Sequence, residues 1–169
     1  MRKVLIIDTS LFCVWLQIPG MEDCGTDNDK WDFQRVDNCI QAEIRQGTTL
    51  VLPLATLIET GNHIAQARKK RRETAQTLAT IMNYAADETS PWAAFGEQFE
   101  VWSPEKLKEL AAEWPDKAAE KISIGDATIK KVGDFYANKG YQVEFLTADE
   151  QLKAQQPPLK TQKKRRSGN

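Results

Sequence analysis

Four acidic side chains lie where predicted strands and helices of this chain meet. Asp8 and Asp149 each follow a short apolar run that is typical of a buried strand. Glu59 lies within the helix predicted after the second strand, and Asp126 lies in the first turn of the helix before the last strand. Because ligands of parallel α/β sheets gather at the carboxyl ends of the strands, we expect these four carboxylates to share one edge.

Four carboxylates at one edge repel one another unless a divalent cation neutralises them. A ligand set made only of oxygen atoms suits Mg²⁺ or Mn²⁺. Such a site is suited to phosphodiester hydrolysis, since one metal lowers the pKa of a water and a second can stabilise the leaving oxygen.

Two of the acids have a structural alternative at the start of a helix. Asp126 could complete a capping box with Ser123, because Ser-x-x-Asp satisfies the unpaired amides of a first helical turn. Thr147 and Glu150 form a second such pattern, in which Asp149 only favours the helix dipole.

A purely structural role explains Glu59 more easily than Asp8. Glu59 could be a solvated helix residue that pairs with His63, four positions further on. Asp8 is harder to explain in this way, because a carboxylate that ends a buried strand must be paired, protonated or bound to a cation.

Strands and helices alternate along the chain, which predicts a parallel sheet with helices on both faces. Strands are predicted at residues 4–7, 48–52, 99–102 and 141–146, and a loop at 19–29. Helices are predicted at residues 31–46, 54–67, 75–86 and 123–138. Pro104 starts a further helix, and Pro115 is expected to divide it into two short ones.

Length and charge indicate one domain with segregated basic residues. The 169 residues fit a single domain at 1–156 and a basic tail at 157–169, which we expect to be disordered. The net charge is −1, but two windows at 68–72 and 160–166 hold ten of the 23 bases and contain no acid. The average charge therefore does not exclude nucleic acid as a partner.

These basic windows are the predicted phosphate-binding residues. They are Arg68, Lys69, Lys70, Arg71, Arg72, Lys163, Lys164, Arg165 and Arg166. The first window could equally be a solvated helix face, and the tail could be inert. If a tryptophan is exposed as a partner surface, Trp15 and Trp92 are the candidates.

Cysteine usage and hydropathy indicate a cytoplasmic protein. Cys13, Cys24 and Cys39 are an odd number without CxxC spacing, so we expect free thiols in a reducing compartment rather than a zinc site. Asp8 ends the first apolar run after four residues, which does not fit a signal peptide. No apolar run is long enough to span a membrane, and no membrane partner is expected.

The pattern of acids resembles that of the PIN-domain nucleases. The resemblance spans about residues 1–155 and rests on four segments: 4–10 with Asp8, 52–59 with Glu59, 123–129 with Asp126 and 146–149 with Asp149. It implies a PIN-like three-layer α/β/α fold with a central, mainly parallel sheet of four to five strands.

The resemblance also implies roles for individual residues. The catalytic and metal-binding acids of an Mg²⁺- or Mn²⁺-dependent endoribonuclease would be Asp8, Glu59, Asp126 and Asp149. The supporting hydroxyls would be Thr9, Ser10 and Thr147. The implied substrate is single-stranded RNA.

Small single-domain members of that family are commonly VapC-like toxins with an antitoxin partner. The link at residues 11–30 is longer than in those toxins. The chain could therefore also be a nuclease of an antiphage defence system or a housekeeping RNase. A homodimer is a further possibility. Two further alternatives are a non-catalytic PIN-like protein-binding or regulatory module and a structure-specific DNA nuclease.

Overall fold

The computed structural model describes residues 1–159 of the chain. The helices are α1 (Thr9–Trp15), α2 (Phe33–Arg45), α3 (Leu54–Gln66), α4 (Arg71–Ala86), a 3-10 helix (Phe95–Trp102), α5 (Pro104–Ala119), α6 (Ile124–Asn138) and α7 (Glu150–Lys153). The strands are β1 (Lys3–Ile7), β2 (Asp23–Thr26), β3 (Asp29–Asp32), β4 (Thr49–Val51) and β5 (Gln142–Leu146). The predicted phosphate-binding residues Lys163, Lys164, Arg165 and Arg166 lie outside the described residues.

A parallel sheet with the order β4-β1-β5 lies at the centre of the fold. In its register Leu5 of β1 lies opposite Leu50 on one side and Glu144 on the other. The predicted α/β class and parallel sheet are thereby confirmed. Within residues 1–159 this sheet has three strands, so the prediction of four to five is wrong.

The strand predicted at residues 99–102 is also wrong, because that segment belongs to the 3-10 helix. The outer edge of β4 is occupied by an earlier segment. The Leu50 N–H donates to Pro91 O at 2.8 Å, and the Ala93 N–H donates to Leu50 O at 2.8 Å. The result is a single parallel bridge at Trp92, which leaves residues 99–102 without a strand to pair with.

The 3-10 helix attaches to the end of β4 through the side chain of Gln98 instead. Gln98 is 1% exposed. Its Oε1 accepts a hydrogen bond from the Leu54 N–H at 2.8 Å, and its Nε2 donates to Leu52 O at 2.9 Å. One buried amide therefore replaces a backbone ladder, and it satisfies the backbone groups between β4 and α3.

One further prediction fails for a local reason, and local packing also decides a second. Pro115 lies inside α5 without dividing it, because the helix is exposed there and the carbonyl that loses its partner can face water. A partner surface is expected at Trp15 or Trp92 only if the side chain is exposed. Trp92 is 5% exposed and packs beside Trp15, so this condition is not met at Trp92.

The predicted loop at 19–29 contains part of an antiparallel hairpin. β2 pairs with β3 in a register that places Cys24 opposite Trp31 and Thr26 opposite Asp29. The two-residue turn consists of Asp27 and Asn28, both of which favour turns.

Helices cover both faces of the sheet. Leu5 and Ile7 of β1 pack into an apolar cluster with residues of α1, α2, α3 and α4. Val4 and Ile6 pack on the other face with residues of α6 and the 3-10 helix. Because all four side chains are fully buried, the end of β1 and the residue that follows it are held rigidly.

A glycine in α6 allows this helix to approach β5 closely. A Cβ on Gly133 would lie 2.7 Å from the Phe145 ring, which is 3% exposed. We expect Gly133→Ala to lower the free energy of unfolding by about 1–3 kcal/mol through overpacking, as measured by urea denaturation. The matched control is Gly61→Ala in α3, where a Cβ meets no atom within 4 Å. Equal stability of Gly133→Ala and the wild type would contradict the prediction.

Candidate functional site

Asp8 lies at the junction between β1 and α1 and is 7% exposed. As the N-cap residue of α1, it accepts the Thr9 N–H on Oδ1 at 2.7 Å. Its Oδ2 accepts two hydroxyl groups, Ser10 Oγ at 2.9 Å and Thr147 Oγ1 at 2.8 Å. The carboxylate is therefore fixed in one orientation at the carboxyl edge of the sheet.

Glu59 reaches the same place from α3. Its Oε2 accepts a hydrogen bond from Thr9 Oγ1 at 2.7 Å, so one threonine contacts both acids. The start of α3 is attached to the end of β1, because the buried Thr56 hydroxyl donates to Ile7 O at 2.8 Å. The other oxygen of Glu59 lies against Gly125 of α6, where a Cβ would collide with it.

Asp126 lies in the first turn of α6, and Ser123 is the N-cap of that helix. The Asp126 N–H donates to Ser123 Oγ at 3.0 Å, so the capping contact expected from the sequence is present. Capping does not remove Asp126 from the site, because the next residue towards the N-terminus is the Gly125 that contacts Glu59.

Asp149 is exposed and caps the short helix α7. Its Oδ1 accepts the Gln151 N–H at 2.8 Å, and its own N–H donates to Thr147 Oγ1 at 3.0 Å. Thr147 thus links Asp149 to Asp8, since the same hydroxyl donates to the Asp8 carboxylate.

Burial and mutual repulsion perturb two of these acids. Burial raises the pKa of Asp8 above its ordinary value, its three hydrogen-bond donors oppose this, and the negative charge of Glu59 adds to it. Burial likewise raises the pKa of Asp126, Ser123 opposes it, and the charges of Asp8, Asp149 and Glu59 add to it. The four acids therefore lie within electrostatic reach of one another.

Three of the acids line an open cleft of about 410 Å³. Its lining residues are Asp8, Thr9, Ser10, Met21, Cys24, Gly25, Glu59, His63, Ala148 and Asp149. Sequence reasoning did not find Met21, Cys24 and Gly25 as part of the site. The sequence predicts a loop at residues 19–29, and nothing in it shows that the β2–β3 hairpin would lie beside the acids.

The donor atoms of this site fit a hard divalent cation. Within residues 1–159, no group of three or more acidic, histidine or cysteine side chains lies close enough together to hold a metal ion. Mg²⁺ does not require such a cage, because it keeps several waters and binds through one or two carboxylates together with substrate phosphates. Asp8 and Glu59, joined through Thr9, offer two carboxylates of this kind.

The charge of the site supports the same conclusion. Among the described residues, none of the four acids forms a salt bridge with a lysine, an arginine or the histidine. A nearly buried carboxylate with like charges around it needs a proton or a cation.

The predicted phosphate-binding residues of the first window divide into two groups. Arg68, Lys69 and Lys70 lie in the exposed loop between α3 and α4. The charge of Lys69 reaches Glu22, which follows the cleft residue Met21 in the chain. A hydrogen bond from the backbone of Gly20 lowers the pKa of Glu22, and Lys69 lowers it further.

Arg71 and Arg72 begin α4 and border a different feature. They lie beside an apolar groove of about 540 Å³ between α3 and α4, whose lining includes Ile64, Leu78 and Met82. These two arginines therefore face another surface, although they adjoin the loop in sequence.

The cysteines are free thiols, as expected, in the described part of the chain. Burial raises the pKa of Cys13 to about 11, which keeps this thiol protonated and unreactive.

Across residues 1–159 no helix combines the length and the apolar character needed to cross a membrane.

Comparison with protein-family models, with curated proteins and with solved structures found no match to this chain. The assignment of a function therefore rests on the residues and the geometry of the site itself.

The raised pKa values predict how stability depends on pH without metal. The pKa of Asp8 in the folded protein is raised above 3.8. Above that pH the folded state therefore binds more protons than the unfolded chain, so the wild type loses stability as pH rises. Asp8→Asn does not titrate there, so its stability relative to the wild type should increase between about pH 4 and about pH 7. Urea denaturation in chelator at both pH values measures this, and an unchanged difference would contradict it.

Proposed function

We propose that this chain is a metal-dependent endoribonuclease of the PIN type that acts on single-stranded RNA. The observation that carries the proposal is the junction of Asp8 and Glu59 through Thr9 at the carboxyl edge of a parallel sheet. Asp126 and Asp149 contribute negative charge at the same edge. Oxygen ligands in this position suit Mg²⁺ or Mn²⁺ and a phosphodiester substrate.

The protein's own residues would hold the reacting groups in place. A divalent cation, when bound, supplies the positive charge that stabilises phosphate and makes water a better nucleophile near neutral pH. Asp8 and Glu59 are the residues that would hold it, because their carboxylates are already aligned by hydroxyl donors. These hydroxyls fix the orientation of the two carboxylates at the lining of the cleft, which reduces the reorganisation needed when substrate binds.

The basic loop supports an anionic polymer as substrate. Arg68, Lys69 and Lys70 are exposed, and in the described residues they form no salt bridge. Positive charge beside a cleft of acids can hold phosphates without neutralising the acids themselves. The choice of RNA over DNA, and of a protein inhibitor such as an antitoxin as partner, rests on the family resemblance.

A second candidate function is a PIN-like module that binds a protein without catalysis. It is favoured by the absence, within residues 1–159, of three ligand side chains grouped closely enough to hold an ion. The use of Asp8 and Asp149 as helix caps points in the same direction, because the Oδ1 atom of each already accepts backbone N–H groups.

A substrate panel separates these functions. End-labelled single-stranded RNA, single-stranded DNA and a DNA flap are incubated with the wild type in Mn²⁺, in Mg²⁺ or in chelator. We expect internal cuts in the RNA with either metal and none in chelator. Cleavage of the flap alone would replace the proposal with a DNA nuclease, and a folded protein that cuts none of the substrates would favour the binding module.

A further inference from the structure

His63 is the only histidine of the chain, and it lines the candidate cleft. It lies four residues after Glu59 in α3, which places both side chains on the same face of the helix. The side chain is exposed, and it does not belong to the apolar clusters of the core. Packing therefore does not explain why the imidazole lies at this position.

The imidazole is also not used by a neighbouring side chain. The pair with Glu59, which the sequence left open as an alternative, is not present among the described residues. Glu59 instead accepts the Thr9 hydroxyl with one oxygen, and its other oxygen lies against Gly125. Among the described residues, the His63 ring has no salt-bridge partner and makes no side-chain hydrogen bond of the kind found for Asp8 and Glu59. With respect to residues 1–159, its ring nitrogens are therefore available to a ligand.

The chemistry of the cleft shows what kind of ligand this would be. Apart from His63, the described side chains that line it are carboxylates, hydroxyls, a thioether and a thiol, together with alanine and glycine. In this part of the chain the imidazole is thus the cleft's one nitrogen-bearing side chain. The hydroxyls of Thr9 and Ser10 already donate to Glu59 and Asp8, so among the described side chains the His63 N–H is the cleft donor that is available to an RNA phosphate.

Helix geometry places His63 between the acids and the basic loop. At 1.5 Å per residue, His63 lies about 6 Å along α3 from Glu59. The helix ends at Gln66, roughly 4.5 Å beyond His63, just before the loop that carries Arg68. A backbone that follows α3 would therefore meet the acids first, then the imidazole, and then the cations of the loop.

We propose that His63 binds RNA by donating a ring N–H to a non-bridging oxygen of the phosphate next to the one that is cleaved, on the side of the basic loop. This inference rests on the proposed nuclease function and adds a substrate-binding residue to it. It also gives the substrate a direction across the cleft, with α3 as the guide for the backbone.

Two His63 variants and one control test the role of the donor. With a labelled single-stranded RNA in Mn²⁺, we expect His63→Ala to lower kcat/KM by about ten- to hundredfold, mainly through a higher KM, because a hydrogen bond to a charged group is lost. His63→Gln keeps an N–H donor and should recover most of the loss. Asn62→Ala changes an exposed neighbour on the same helix and should behave like the wild type.

A modified substrate locates the contact. The phosphate on either side of the cut is replaced, one at a time, by a neutral methylphosphonate. When the contacted phosphate is neutral, kcat/KM of the wild type should fall by about the same factor as the His63→Ala substitution causes with normal RNA. For His63→Ala the neutral phosphate should lower kcat/KM little further.

Each outcome decides the inference. Normal cleavage by His63→Ala, or equal losses for His63→Ala and His63→Gln, would overturn the donor role and leave the nuclease function intact. If each modified phosphate lowered kcat/KM of the wild type and of His63→Ala by the same factor, the assigned contact between His63 and the neighbouring phosphate would be overturned. A wild type that is folded and does not cut RNA in Mn²⁺ would overturn this inference together with the nuclease function.

Discussion

Asp8→Asn should reduce the rate of RNA cleavage by about 100-fold or more while the protein stays folded. The charge stabilisation that a metal ion gives to phosphoryl transfer amounts to several kcal/mol, and each 1.36 kcal/mol is a factor of ten in rate. Asp8 is the acid at the end of the central strand, with three donors fixing its carboxylate, so a neutral amide there should weaken cation binding more than any other single change. Initial rates on a labelled single-stranded RNA measure the effect.

The fold tolerates this substitution because an amide can satisfy the same contacts. The amide oxygen can accept the Thr9 N–H, and the amide nitrogen can donate to the hydroxyls of Ser10 and Thr147, which reverse their roles. Asparagine is also a favoured N-cap residue. Without metal the variant should be at least as stable as the wild type near neutral pH, since a buried charge beside Glu59 is removed.

The matched control is Asp116→Asn, which makes the same change in charge at an exposed position of α5. It should cleave RNA at the wild-type rate. Full activity of Asp8→Asn, or an equal loss in Asp116→Asn, would contradict the assignment of Asp8.

Gly125→Ala should lower kcat/KM for RNA by about ten- to hundredfold, the range typical for residues that orient a metal ligand. A Cβ at this position collides with an oxygen of Glu59 and contacts Ser123 Oγ at 3.5 Å. Because the colliding atom is the end of a flexible side chain, the carboxylate can turn away without unfolding the protein. Raising the Mn²⁺ concentration should recover part of the activity.

Gly61→Ala is the control for this variant. It adds the same methyl group to α3, two residues after Glu59, where nothing lies within 4 Å. It should retain activity, and both variants should match or exceed the wild type in urea denaturation because alanine favours helix. If Gly125→Ala cleaves as fast as Gly61→Ala, the position of Glu59 does not matter for the reaction.

The sequence predicted the central strands well because their signals are local. The apolar run at 4–7 must be buried on both faces, and an acid directly after it must lie at the end of the strand. Residues 99–102 have a similarly apolar pattern, yet their structure is decided by Trp92, which occupies the edge of β4, and by Gln98. Such competition between distant segments cannot be read from a local pattern.

The residues of the candidate site could likewise be predicted only in part from the sequence. Spacing along the chain led to Asp8 and Asp149, which follow strands, to Asp126 at the start of a helix, and to Glu59 within the helix after the second predicted strand. The cleft wall formed by Met21 and the β2–β3 hairpin depends on how residues 19–32 fold back over the acids. The sequence left a pair of Glu59 with His63 open as an alternative, whereas in residues 1–159 Glu59 accepts the Thr9 hydroxyl and makes no contact of this kind with the imidazole.

Cleavage of total RNA in four parallel reactions shows whether this protein is a metal-dependent ribonuclease that uses Asp8. Wild type and Asp8→Asn are each incubated with Mn²⁺ or with chelator, and the new 5′ ends are mapped. We predict discrete internal cuts only in the reaction that contains both the wild-type protein and Mn²⁺. Identical cleavage by wild type and Asp8→Asn in Mn²⁺, or uncut RNA in all four reactions with folded protein, would contradict the account.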